Sequence, residues 1–148
     1  MAQPNAAYGA YKKVDIETAS QGKLIVMLFN GAIQRAEEAK RRMEKEDLLG
    51  VHKNLVRSQE IVAELRSALN MNAGERAINL DRIYEYLHHL LVRANIRKDP
   101  KPIEECVRYM TSLRDTWEEL FARIAKENGP KPQPRVDQHG SVVINVQG

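Results

Sequence analysis

Leu48, Val51, Leu55, Ser58, Val62, Leu65 and Leu69 follow one another at alternating steps of three and four residues. Ala77, Leu80, Tyr84, Leu87, Leu91 and Ala94 do the same, and so do Ile103, Cys106, Met110, Leu113, Trp117, Leu120 and Ile124. An α-helix gathers such positions on one face, so each series reads as the seam of a helix packed at a shallow angle against its neighbours. No period-of-two strand pattern competes between Ser20 and Asn128. The breaks between series are short, which forces antiparallel neighbours. The expected fold is all-α: an antiparallel, up-down four-helix bundle.

The helix boundaries carry their own chemistry. Ser20 fits the N-cap of a first helix reaching about Lys45. After "EKEDLLG", Asp47 suits the cap of a second helix reaching about Asn70. In "NMNAGE", Gly74 punctuates, and Asn72 and Glu75 stand at capping-box spacing. The third helix runs to about Arg97. In "KDPKP", Asp99 fits an N-cap and Pro100 the first helical position, where its missing N–H costs nothing. The fourth helix stops at "NGPKPQP". These boundaries divide the chain into an N-terminal segment (1–17, expected to be mobile), a bundle (18–128) and a Pro-rich tail (129–148). The tail ends in "HGSVVINVQG", which has strand propensity but no partner strand, so disorder is expected there.

Composition narrows the function. The chain has 148 residues, enough for one domain with a real core. Its 23 basic and 20 acidic residues leave a formal charge of +3, and the signs are interspersed. The short run "KRRMEK" reads as a solvated helix face, so no nucleic-acid partner is expected. No stretch has the length of a membrane span, and "MAQPNAAYGAYKKVD" lacks the features of a signal peptide. A soluble, cytoplasmic protein without membrane insertion is expected. Cys106 is the single cysteine, which excludes an internal disulfide, and it lies on an apolar stripe as a small buried hydrophobe. A di-metal bundle needs two Glu-x-x-His motifs, and only Glu85 and His88 make one. No metal, cofactor or catalytic site is expected, and the residues favour a binding module over an enzyme.

One stretch fits a simple bundle poorly. Leu24 to Phe29 is six apolar residues in a row, and a helix points such a run in every direction. One side can face the core, and the other needs a cover. Ile25, Phe29 and Ile33 fall at four-residue intervals and fit either core or partner contact. Tyr84 lies on the third stripe, and Tyr86 is displaced from it toward the surface. Asn79 and Asn95 are polar in patterned positions, suited to bonding the backbone of a bound segment or to local capping and solvation.

Several blocks in order resemble one family. "YGAY" is followed by "ETASQGKLIVMLFNGAI", then by "LRSALNMNAGERAINLDRIYEYLHHLLVRAN" and "IEECVRYMTSLRDTWEEL". Across about residues 8 to 125 they are similar to the flagellar secretion chaperone FliS family. Gln21 and Gly22 stand where that family usually has Pro and Glu, and Phe29 and Asn30 where it has Tyr and Asp. The resemblance implies a non-catalytic export chaperone in the cytoplasm. Such a chaperone binds the disordered C-terminal segment of flagellin, prevents early polymerisation and brings it to the gate of the flagellar type III export apparatus. Other flagellar regulatory proteins are further candidate partners. The resemblance makes Ile25, Phe29, Ile33, Asn79, Tyr84 and Asn95 the candidate flagellin groove. It also implies an N-terminal segment that rearranges on flagellin binding, and Tyr8, Tyr11, Val14 and Ile16 are apolar enough to fill the groove when it is empty. The alternative is an adaptor or regulatory bundle that uses the same groove for a folded partner or for self-association.

Overall fold

A computed structural model of the chain describes residues 14–127 and the short strands 135–136 and 142–143, with side-chain surroundings for 21–127. Helix α1 spans Val14–Glu44, α2 Leu48–Ser67, α3 Glu75–Arg97 and α4 Pro100–Glu127, with a 3-10 turn at Met71–Ala73. α1 and α3 each pack beside α2 and α4, so α1 faces α3 across a diagonal. This is the expected antiparallel four-helix bundle.

α1 starts at Val14, which corrects the cap expected at Ser20. Val14–Ala19 contains neither Gly nor Pro to interrupt a helix. Val14 and Ile16 are therefore residues of α1, while Tyr8 and Tyr11 lie outside the described residues. The cap of α2 forms as expected: Gly50 N–H donates to Asp47 Oδ1 at 3.0 Å. That bond, followed by the Arg42 guanidinium, holds the Asp47 carboxyl below its ordinary range. The expected Asn72–Glu75 capping box does not form. Asn70 instead accepts from Asn72 N–H at 3.1 Å and opens the 3-10 turn. Gly74 then enters α3 at φ +99°, a conformation that any side chain would strain, and supplies no side-chain cap. At α4, Lys101 N–H donates to Asp99 Oδ1 at 3.0 Å, behind Pro100.

The three stripes meet as the core, where Leu55, Val62, Leu87, Leu91, Ile103 and Met110 are fully buried. Ser58 holds a stripe position because its hydroxyl is satisfied, donating to the Ala32 carbonyl of α1 at 2.8 Å. The seam of α4 is not uniform. Ile103, Cys106 and Met110 are buried, Leu113 and Trp117 are partly buried, and Leu120 is exposed. The bundle is tight at one end and open at the other. Gly22 is buried near the open end, and a Cβ built there would lie 2.8 Å from Cγ of Phe121. The missing side chain is what lets that ring sit on α1.

The tail corrects one further expectation. Val142–Val143 does have a partner: it pairs antiparallel with Arg135–Val136, in register Arg135 to Val143 and Val136 to Val142. The partner comes from within the tail and not from the bundle.

Candidate functional site

The open end brings together the N-terminal part of α1, the C-terminal part of α2, the N-terminal part of α3 and the C-terminal half of α4. Small residues there (Ala68, Ala73 and Ala77) leave space that larger side chains would fill. The result is a cavity of 260 Å³ lined chiefly by Ile25, Leu65, Leu69, Leu80, Tyr84 and Trp117.

Its polar chemistry is sparse and directed. Tyr84 is 1% exposed, and Phe29 meets its ring edge-on at a centroid distance of 6.1 Å. The Trp117 indole N–H donates to the Tyr84 hydroxyl at 3.3 Å. Trp117 in turn stacks on Phe121, with centroids 5.5 Å apart and planes 19° off parallel. Among the described residues the Tyr84 hydroxyl donates to nothing, so its own proton remains available to an acceptor in the cavity. Burial raises the Tyr84 pKa above the ordinary phenol value, which keeps that proton in place. The cavity is largely apolar, with Asn70 and Arg76 also among its lining residues, and beside the buried Tyr84 hydroxyl it suits an apolar side chain whose backbone carbonyl lies close by.

The sequence-selected residues do not form one groove. Ile25 and Tyr84 line this cavity together. Phe29 is fully buried beneath it, and Ile33, 6% exposed, lies one turn deeper in the core. Both are core side chains here, which is one of the two places the sequence left open for them. Asn79 is exposed. Asn95 stands sixteen residues along α3, roughly 24 Å from Asn79 at 1.5 Å per residue. It pairs with His52 Nδ1 at 2.9 Å and accepts from Lys98, a local tie between α2 and α3.

The Leu24–Phe29 run is now resolved. Phe29 turns fully inward, and Ile25, Val26 and Leu28 are half-buried. Leu24 is 47% and Met27 66% exposed, so the outer side of the run faces solvent beside the cavity-lining Ile25. Trp117, Leu69 and Leu80 are cavity residues that stripe reasoning assigned to core. Their signal was the cluster of small residues in "SALNMNAGERA", which marks a place where helix ends cannot close.

Burial pushes the Cys106 thiol up to about 12. No group of three or more His, Cys, Asp or Glu side chains among the described residues is placed to hold a metal ion, and no described helix is long and apolar enough to cross a membrane.

Comparison with known proteins agrees with the resemblance in the sequence blocks. The profile of the family described as flagellar protein FliS matches residues 4–124. The flagellar secretion chaperone FliS of Bacillus subtilis (strain 168) is 32% identical over 134 residues, which is 90% of this chain and 92% of that protein. The protein of the same name from Vibrio cholerae is 29% identical, over 75% of this chain and 85% of its own length. That from Salmonella typhimurium is 31% identical, over 75% of this chain and 87% of its own. With an open apolar cavity at one end of a four-helix bundle and a family match over residues 4–124, the chain belongs to the FliS family of flagellar proteins.

Proposed function

We propose that the chain is a cytoplasmic export chaperone that holds the C-terminal segment of flagellin and delivers it to the flagellar export gate. The work is binding, not catalysis. The observation that carries this reading is the 260 Å³ cavity between Ile25, Tyr84 and Trp117, together with the uncovered Leu24 and Met27 on the same stretch of α1. An amphipathic segment reads such a surface through apolar side chains three and four residues apart. One of them anchors in the cavity while others lie along Leu24 and Met27. A flagellin segment held this way has its apolar stripe covered and cannot offer it to another flagellin.

Calorimetric titration with the flagellin C-terminal segment of the same organism, followed in parallel by circular dichroism, tests this. A disordered segment that folds on the bundle gives a strongly negative heat-capacity change and new helical signal. Saturable binding without any gain in helix would favour docking of a preformed partner instead.

A further inference from the structure

A second concavity, of 410 Å³, lies between α3 and α4 and shares no residue with the first. Arg82, Ile83, Tyr86, Tyr109, Ser112 and Leu113 line it. Its floor is apolar and open to solvent: Ile83 is 39%, Tyr86 42% and Tyr109 46% exposed. The two tyrosines are held in place. Their rings meet edge to face at 6.0 Å and 75°, and the Tyr86 hydroxyl donates to Glu105 Oε2 at 2.6 Å. A fixed aromatic floor loses little freedom when something covers it.

The rim is basic. Arg82 lines the concavity, and Arg93 stands two turns beyond Tyr86 on the same face of α3. Arg108 shares the outer face of α4 with Glu105 and Ser112, at steps of three and four. Some arginines of the bundle are tied to carboxylates, as in Arg66 with Asp81 at 2.6 Å and Arg42 with Glu38 at 2.7 Å, while, among the described residues, Arg35, Arg76 and Arg97 are not. Among the described residues no ion pair uses Arg82, Arg93 or Arg108. Glu105, the carboxylate on this floor, is already engaged by Tyr86. Positive charge around an apolar groove between two antiparallel helices has a definite complement.

We propose that the α3–α4 groove docks an acidic amphipathic helix of a second protein, its apolar stripe on Ile83, Tyr86 and Tyr109 and its carboxylates toward Arg82, Arg93 and Arg108. The helix lies along the groove as a third member of the α3–α4 pair. Because the Ile25–Trp117 cavity is separate, both can be filled at once, and the chain can join its cargo to another protein. This goes beyond the export reading; the docking does not depend on it, and only the joining to a cargo rests on it.

The test uses the full chain, labelled with nitrogen-15, and two synthetic helical peptides of about 18 residues, long enough to hold a helix. Both carry Leu at three-four spacing; one has Glu on the flanks and the other Lys at the same positions. The Glu peptide is expected to shift the backbone resonances of Ile83, Tyr86, Tyr109 and Leu113, with the Lys peptide inert. The exposed double variant Arg82→Glu, Arg93→Glu should melt like the parent and bind the Glu peptide at least tenfold more weakly. Three results each overturn the proposal: no shifts by about 1 mM peptide, a range where even weak docking registers; equal binding of both peptides; or shifts confined to the Ile25–Trp117 cavity. Dimerisation of the free chain that Tyr109→Ser abolishes overturns it as well, since the groove's occupant would then be a second copy. If the double variant fails to fold, the comparison of the two peptides on the parent chain decides alone.

Discussion

Two residues of α1, two positions apart, should respond in opposite ways to the same substitution. Met27→Glu and Phe29→Glu each place a carboxylate on the Leu24–Phe29 run. Met27 is 66% exposed, so the change falls among surface substitutions, which shift stability by about 0.5 kcal/mol or less. Phe29 is fully buried against Tyr84. Removing its ring costs about 3–5 kcal/mol, by analogy with Phe→Ala in cores. Burying a carboxylate, or opening the bundle to hydrate it, adds several more. A domain of this kind has about 5–15 kcal/mol in all, so Phe29→Glu should be largely unfolded at 25 °C. Urea denaturation followed by circular dichroism measures the folding half. Titration with the flagellin C-terminal segment measures the other half for the folded Met27→Glu protein. There a buried, unpaired carboxylate should weaken binding roughly a hundredfold, about 2.7 kcal/mol. Parent-like melting of Phe29→Glu would refute the burial argument. Parent-like binding of Met27→Glu would show that the outer side of the run is not the docking surface.

Three further outcomes follow from the geometry. Trp117→Ala should cost about 2 kcal/mol, less than the ~3–5 of a fully buried tryptophan, because the ring is half-buried and loses one stack and one weak hydrogen bond; a loss above about 4 in chemical denaturation would place it wholly in the core. Gly22→Ala should lower the melting temperature, although alanine improves helix propensity by about 1 kcal/mol, because the new methyl meets the Phe121 ring; a rise of several degrees would show that the ring does not rest there. Asp47, Asp81 and Glu38 are held below their ordinary pKa values, chiefly by Gly50 N–H, by Arg66, and by Arg41 with Arg42 respectively. Depressed carboxylates stabilise the fold above their unfolded values of about 4, and that stability is lost as pH falls through the lower folded values. The melting temperature should therefore hold from neutral pH to about pH 5 and drop below pH 4, and Asp81→Asn should flatten the drop.

The spacing of apolar residues contained most of the fold. It placed α2, α3 and α4 within a few residues of their ends, and its stripes name most of the core. It erred at α1, where a good helical sequence before Ser20 outweighed a plausible cap, and at Asn72, which lies inside a 3-10 turn capped by Asn70, so that α3 opens at Gly74 without a side-chain cap. Periodicity reports which face of a helix turns inward. It does not report how far along its length that face stays covered, so Trp117 and Leu69 read as core and only three-dimensional packing shows them at an open end. The candidate site suffered for the same reason. Ile25 and Tyr84 were chosen and do meet in one cavity. Phe29 and Ile33 share their stripe but belong to a deeper layer. Asn95 turned out to satisfy His52 and Lys98 instead of waiting for a ligand.

The central claim is that a flagellin segment fills the cavity walled by Trp117, and Trp117 is the chain's one tryptophan. Its fluorescence reports on that wall alone when the titrant is a tryptophan-free C-terminal flagellin segment. The account predicts a saturable blue shift of the emission as the half-exposed ring is covered. The shift should appear with one-to-one stoichiometry and vanish when Ile25→Glu blocks the cavity. Tight binding of the segment by calorimetry with the emission unchanged would contradict it, because the segment would then be held somewhere other than the open end of the bundle.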